Sequence, residues 1–203
     1  MLMRIGCLAI GYLCGCFLTA DFVAKAKTGR WAREIGSRNP GMANIGHVLG
    51  ERAAAVVLLG DIVKVIVAVF FAAHLFPELG RIGWLWAGVG CTLGHNFPFW
   101  TGFSGGKGVT TTCSAIILFD PIGGIIACLV GLAVVLVGKQ LSWGALAIAV
   151  AFCVVAFGHG PEAFVLALVL LALMAYAHGG PAQRAVRGEE PQTDLLGKLR
   201  ARR

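Results

Sequence analysis

An all-α integral membrane protein, a bundle of about seven transmembrane helices, is the fold class the sequence predicts. Three observations predict it. Only 13% of the 203 residues are charged and 58% are hydrophobic, whereas a soluble domain carries about 25% charged residues. The mean hydropathy is +0.81. Apolar runs follow one another along the chain, parted by short polar segments. No internal repeat or linker stands out, so residues 1–203 read as a single polytopic membrane domain.

The runs cover residues 5–24, 53–73, 82–93, 109–119, 122–137, 141–157 and 163–177. A bilayer crossing takes roughly 20 apolar residues. The first two runs reach that length, and the later ones must borrow flanking residues or form short, tilted or broken helices. The first run is long for the apolar part of a cleaved leader, and six more runs follow it. It is therefore read as a spanning helix. The 29 glycines suit close helix packing in lipid.

Charge sets the count and the orientation. Lys25, Lys27, Arg30, Arg33, Arg38 and Arg52 crowd the first loop, and Arg184, Arg187, Lys198, Arg200, Arg202 and Arg203 crowd the tail. Basic loops stay in the cytoplasm. Seven crossings with the N-terminus outside put both clusters, with Lys107 and Lys139, on the cytoplasmic side. Six crossings would split the clusters. The expected polar segments are thus a cytoplasmic loop at 25–52, a glycine-rich cytoplasmic loop at 94–108 and a basic cytoplasmic tail at 178–203. The net charge of +7 matches an anionic inner leaflet and anionic substrates and calls for no nucleic acid.

The seven cysteines lie in or beside apolar runs without a CxxC pair. Cysteine there behaves as a small apolar residue. Cys91 and His95 are four apart on one helical face, but two ligands do not make a metal site. No metal or cofactor is expected.

Chemistry gathers in the loops. "SGGKG", Ser104 to Gly108, frees backbone N–H groups and allows turns that set several around one anion. A helix starting at Val109 aims its positive end at this loop, and Lys107 adds a full charge. It is not a Walker loop, since Thr101 and Gly108 occupy the first and last motif positions. A flexible turn obeying the positive-inside rule is the plainer reading of the loop alone. Asp61 and Lys64, three residues apart inside the second run, lie on one helical face. Charges inside a membrane mark function or a paired structural site.

These residues resemble a family. "GSRNPGMAN", followed by Gly60, Asp61 and Lys64, is similar to the first motif of the bacterial membrane acyl-phosphate:glycerol-3-phosphate acyltransferases. "LGHNFPFWTGFSGGKGVTT" resembles their second motif nearly residue for residue, and His178, Arg184, Gly188 and Glu190 fall at the spacing of the third. The resemblance implies a seven-helix enzyme of the bacterial cytoplasmic (inner) membrane, with its site at the cytoplasmic face. It implies transfer of an acyl chain from acyl phosphate to the 1-hydroxyl of glycerol 3-phosphate, giving lysophosphatidic acid. The partners it implies are those two substrates and the lipid bilayer. The first motif departs from the family: Ala43 and His47 stand for a threonine and an arginine, and Arg38 for a glycine. The third motif reads His178, Gly179, Gly180, Pro181 where the family has histidine, arginine, glutamate, asparagine.

The expected catalytic residues are Ser37, His95 and Lys107. Asn39, Asn44, Arg52, Asn96, Gly105, Gly106, Gly108, His178 and Arg184 are the expected substrate contacts, with Arg52 a cationic substitute for the missing arginine. Asp61 and Lys64 support them. A paralogue acylating another phosphorylated alcohol is the alternative enzyme. A transporter of an organic phosphate, the alternative outside enzymes, should show inverted repeats, and none is found. A purely structural subunit would explain neither Asp61–Lys64 nor "GGKG".

Overall fold

A computed structural model describes residues 1–193 and residue 197. Lys198, Arg200, Arg202 and Arg203 of the expected tail lie outside the described residues. Every regular element among the described residues is helical, and the chain divides into two compact units, Met1–Phe119 and Asp120–Arg203. The first contains α1 (Leu2–Gly15), α2 (Thr19–Thr28), α3 (Met42–Leu49), α4 (Glu51–Leu75), α5 (Gly80–Asn96) and α6 (Val109–Phe119). The second contains α7 (Pro121–Gly138), α8 (Leu141–Phe157) and α9 (Pro161–Val186).

Each apolar run is helical, the first with a break at residues 16–18, and four stretches are long and apolar enough to cross a membrane: Leu2–Thr28, Glu51–Leu75, Pro121–Gly138 and Pro161–Val186. Val109–Phe119 and Leu141–Phe157 are shorter apolar helices. The exposed faces confirm the solvent. On α4 the buried stripe Ala53, Val57, Asp61, Lys64, Val65 and Ala68 repeats at helical spacing. The opposite face exposes Leu59, Val63, Ile66 and Phe70. On α7 the buried residues are mostly glycine and alanine, while Ile122, Ile126 and Leu129 point out. Small residues inside and large apolar residues outside suit a helix bundle in lipid. The chain is a multi-pass membrane protein.

Within the first unit α1 packs most extensively on α5. Both helices carry a small-residue seam four residues apart, Gly11 and Gly15 on α1, Gly90 and Gly94 on α5. A Cβ on Gly11 or Gly15 would strike the backbone of Ala87 or Cys91, and one on Gly90 or Gly94 the backbone of Leu8 or Tyr12. The two backbones thus touch directly, the arrangement that G-x-x-x-G spacing permits. In the second unit Gly131 and Gly144 play the same part between α7 and α8.

The expectation of one uninterrupted helix over residues 5–24 is corrected. The helix ends at Gly15 and resumes at Thr19. Carbonyls left over at such a break need partners inside a membrane. Lys64 Nζ donates to the Phe17 carbonyl at 3.0 Å and the Gly15 carbonyl at 3.4 Å, and Trp100 Nε1 donates to the Cys16 carbonyl at 2.7 Å. Distant side chains therefore hold the break open.

In the second unit Asp120 caps α7 by accepting from the Gly123 N–H at 3.1 Å, and its other oxygen lies 2.9 Å from His159 Nε2. The Gly123 N–H, then His159, hold this carboxyl below the usual aspartate range.

Gly15→Val should lower the thermal stability of the detergent-solubilised protein by about 1–3 kcal/mol, the usual cost of overpacking. Gly138→Ala, where an added Cβ meets nothing within 4 Å, should stay within about 0.5 kcal/mol of the parent. Equal melting temperatures for the two variants would remove the α1–α5 seam as a stability determinant.

Candidate functional site

The glycine-rich loop folds back onto the end of the helix it leaves. After α5 the chain makes a short turn, Phe99–Thr101, and passes through left-handed Gly102 (φ 65°) and Phe103 (φ 61°). The Phe103 N–H donates to the Pro98 carbonyl at 3.1 Å, and the Thr101 hydroxyl donates to the Ser104 carbonyl at 2.9 Å. Gly106 N–H then reaches the His95 carbonyl at 2.9 Å. A side chain on Gly105 would collide with the His95 and Asn96 carbonyls, and one on Gly106 with His95 Nε2. Gly108, at φ 75°, lies against Asn96 Oδ1 and Thr92. α6 begins at Val109, so its positive end faces this loop. The Gly106 amide is committed to His95, which makes it a support of the loop.

Beneath the loop lies a buried charged cluster. Lys64 Nζ is 2.9 Å from Asp61 Oδ1 and 2.7 Å from His95 Nδ1, and His95 Nδ1 is 3.8 Å from Asp61 Oδ1. The Lys64–Asp61 contact is a close ion pair off the axis of a hydrogen bond. All three side chains are at most 5% exposed. Such charges stay inside only when paired, and here the pairing also joins α4 to α5. Asn96 is 5% exposed, both ends of its amide are unpartnered, and its Oδ1 lies against Gly108.

The first loop is held by Asn44 and Arg33. Asn44 Oδ1 accepts from the Ser37 N–H at 2.8 Å, and Nδ2 donates to the Ile35 and Ala32 carbonyls at 3.1 and 3.2 Å. Its amide thus works on the backbone, leaving the Ser37 side chain exposed beside it. Arg33 pairs with fully buried Asp21 at 3.3 Å, donates to the Thr101 carbonyl at 3.3 Å and stacks over Trp100, 5.7 Å away. Arg33 therefore ties the first loop to the glycine-rich one. The sequence marks Arg33 as a terminal cation of the candidate first-loop site but singles out neither Asp21 nor Trp100. The signal was there in Asp21, a lone acid at the end of an apolar run.

Arg52 lies exposed in the first turn of α4, and Asn39 is half-buried next to Gly41. In the second unit, His178 is buried with Nδ1 3.0 Å from the Met174 carbonyl, and Arg184 Nε donates to Glu190 at 2.8 Å. Pro181 lies inside α9.

The family model for glycerol-3-phosphate acyltransferase matches residues 5–188. Glycerol-3-phosphate acyltransferase 1 of Lactobacillus acidophilus is 34% identical over 95% of this chain and 93% of its own. The enzyme of a Thermoanaerobacter species is 32% identical over 89% and 91%. The crystal structure of PlsY, an integral membrane glycerol 3-phosphate acyltransferase, in its glycerol 3-phosphate form superposes with a TM-score of 0.84. That match has 26% identity and covers 97% of this chain and 98% of that one. The lysophosphatidic acid form of PlsY gives 0.79 over 93% and 94%.

Arg38 sits at φ 62°, the left-handed region that costs a side chain roughly 1–2 kcal/mol. This is the position where the resembling first motif carries glycine. Arg38→Gly should raise thermal stability by about 1 kcal/mol, and an unchanged or lowered melting temperature would show that the arginine makes compensating contacts.

Proposed function

The chain belongs to the glycerol-3-phosphate acyltransferase family, and we propose that it moves a fatty acyl chain from acyl phosphate to the 1-hydroxyl of glycerol 3-phosphate. The product is lysophosphatidic acid, an early intermediate of phospholipid synthesis. The reading extends to seven crossings of a bacterial cytoplasmic membrane, with the N-terminus outside and the first and glycine-rich loops on the cytoplasmic side. The clustering of Lys25, Lys27, Arg30, Arg33 and Lys107 in those loops supports it.

The observation that carries the function is the glycine loop packed on His95 and Asn96, with Lys107 beside it and the N-terminus of α6 behind it. Both substrates carry a phosphate, and this is an anion cradle at the end of apolar helices. Lys107 and the backbone of Gly105 and Gly108 hold a phosphate, while Gly106 keeps the loop on His95. Ser37 and Asn39 are placed to hydrogen-bond the second phosphate or the acyl carbonyl, with Asn44 fixing their loop. Arg52, at the far end of that loop, offers a further cation.

The reaction needs little more than alignment. The 1-hydroxyl oxygen bonds to the acyl carbon, the bond from that carbon to the phosphate oxygen breaks, and the electron pair leaves on phosphate. The hydroxyl proton passes to a phosphate oxygen. Acyl phosphate has a good leaving group, so holding two anions side by side with hydroxyl against carbonyl supplies most of the acceleration. Donors aimed at the developing oxyanion supply the rest.

Purified protein given palmitoyl phosphate and labelled glycerol 3-phosphate in detergent should form a labelled lipid. Uptake into sealed vesicles without a lipid product would indicate a transporter instead. Lys107→Met keeps the side-chain length and removes the charge, so kcat/KM should fall at least about 100-fold with the melting temperature held. A folded variant at half the parent's activity would remove Lys107 from the phosphate site.

Ser37→Ala should reduce turnover about 10-fold or more, since one hydrogen bond to a charged group is worth about 1.5–3 kcal/mol. The exposed hydroxyl has little packing to lose. A loss of stability in step with the loss of rate would make Ser37 a structural loop residue.

A further inference from the structure

Lys64 is surrounded by acceptors, and one of them is a ring nitrogen whose protonation it decides. Its Nζ lies 2.7 Å from His95 Nδ1, 2.9 Å from Asp61 Oδ1, 3.0 Å from the Phe17 carbonyl and 3.4 Å from the Gly15 carbonyl. A carboxylate and two carbonyls are what a buried ammonium requires. An ammonium donates and has no lone pair with which to accept. His95 Nδ1 is then the acceptor and carries no proton. In a neutral imidazole the proton must sit on Nε2. That edge faces Gly106, where an added Cβ would strike Nε2. Gly106 in turn donates its N–H to the His95 carbonyl at 2.9 Å. The ring is held at one edge by a cation and closed over at the other by the loop.

We infer that Lys64 is a positioning residue that fixes His95 as an Nε2–H donor toward the glycine loop and so bars it from acting as a general base. A base needs a vacant lone pair. Nδ1 has spent its own on Lys64, and Nε2 already bears hydrogen. Taking up a substrate proton would also set an imidazolium 2.7 Å from the Lys64 ammonium, with the Asp61 carboxylate to one side of the pair. The same lysine fastens the break between α1 and α2, so the donor's direction is set by the helix packing itself.

The test is a nitrogen-15 spectrum of the full-length protein in micelles, with labelled histidine and the His95 signals assigned by their loss in His95→Gln. At pH 7 the parent should show an unprotonated Nδ1 and a protonated Nε2. Lys64→Arg, still a donor without a lone pair, should keep that pattern, and Lys64→Met should lose it. An Nδ1–H tautomer or an imidazolium in the parent overturns the inference, and the parent spectrum decides this even if Lys64→Met does not fold. The kinetic arm rests on the acyltransferase reading. His95→Gln retains a donor amide without a basic nitrogen and His95→Ala retains neither, so the glutamine variant should keep a kcat at least about 10-fold above the alanine variant's. A folded His95→Gln no more active than a folded His95→Ala sinks the donor role. Absence of any transfer by the parent would count against the acyltransferase reading and leave the tautomer readout standing.

Discussion

A lysine ammonium buried between helices organises the first unit. Lys64 cannot stay in an apolar interior without acceptors, and it finds them on three elements: Asp61 on its own helix, His95 on α5, and the carbonyls at the end of α1. A helix spanning lipid normally keeps its carbonyls to itself. Here the chain gives up its helix over Cys16 to Leu18 and lets Lys64 and Trp100 take the released groups. The break and the buried charge are each costly alone and stable together. Their joint position, under the start of the glycine-rich loop, is what connects membrane packing to chemistry.

Around that point the packing principle is removal of side chains. Gly11, Gly15, Gly90 and Gly94 bring α1 and α5 backbone to backbone; in the loop Gly105 lies against the carbonyls at the end of α5, Gly106 against the His95 ring and Gly108 against Asn96 and Thr92. A single chemical device, the missing Cβ, thus serves two ends. In the membrane it lets helices associate where water offers no hydrophobic drive. At the loop it lets the chain fold back onto the end of α5.

Much of this was legible in the sequence, and the reasons differ by element. The bounds of α6 and α8 fall where apolar residues stop, because Asp120 and Gln140 flank them. Asp61 and Lys64 announced their pairing by helical spacing. The break after Gly15 was hidden, since Cys16, Phe17 and Leu18 are as apolar as their neighbours and the groups that stabilise it lie 47 and 84 residues away. The reach of Lys64 to His95, across 31 residues, was hidden for the same reason. Asn44 shows a subtler limit. A polar residue in a polar loop reads as a ligand contact, and only coordinates reveal that its amide is occupied by the backbone of Ala32, Ile35 and Ser37.

The direct backbone contact between the glycine loop and α5 also governs how this scaffold can diversify. A side chain added at Gly105 or Gly106 would run into the end of α5, so the loop's sequence is mechanically constrained. The first loop is different. Arg38, Ala43 and His47, where this chain departs from the pattern it otherwise resembles, are all exposed, and none adjoins the α1–α5 seam in sequence. Side chains at those three exposed positions can change without entering the packed glycine-rich loop. Variation in the one loop is made tolerable by rigidity in the other.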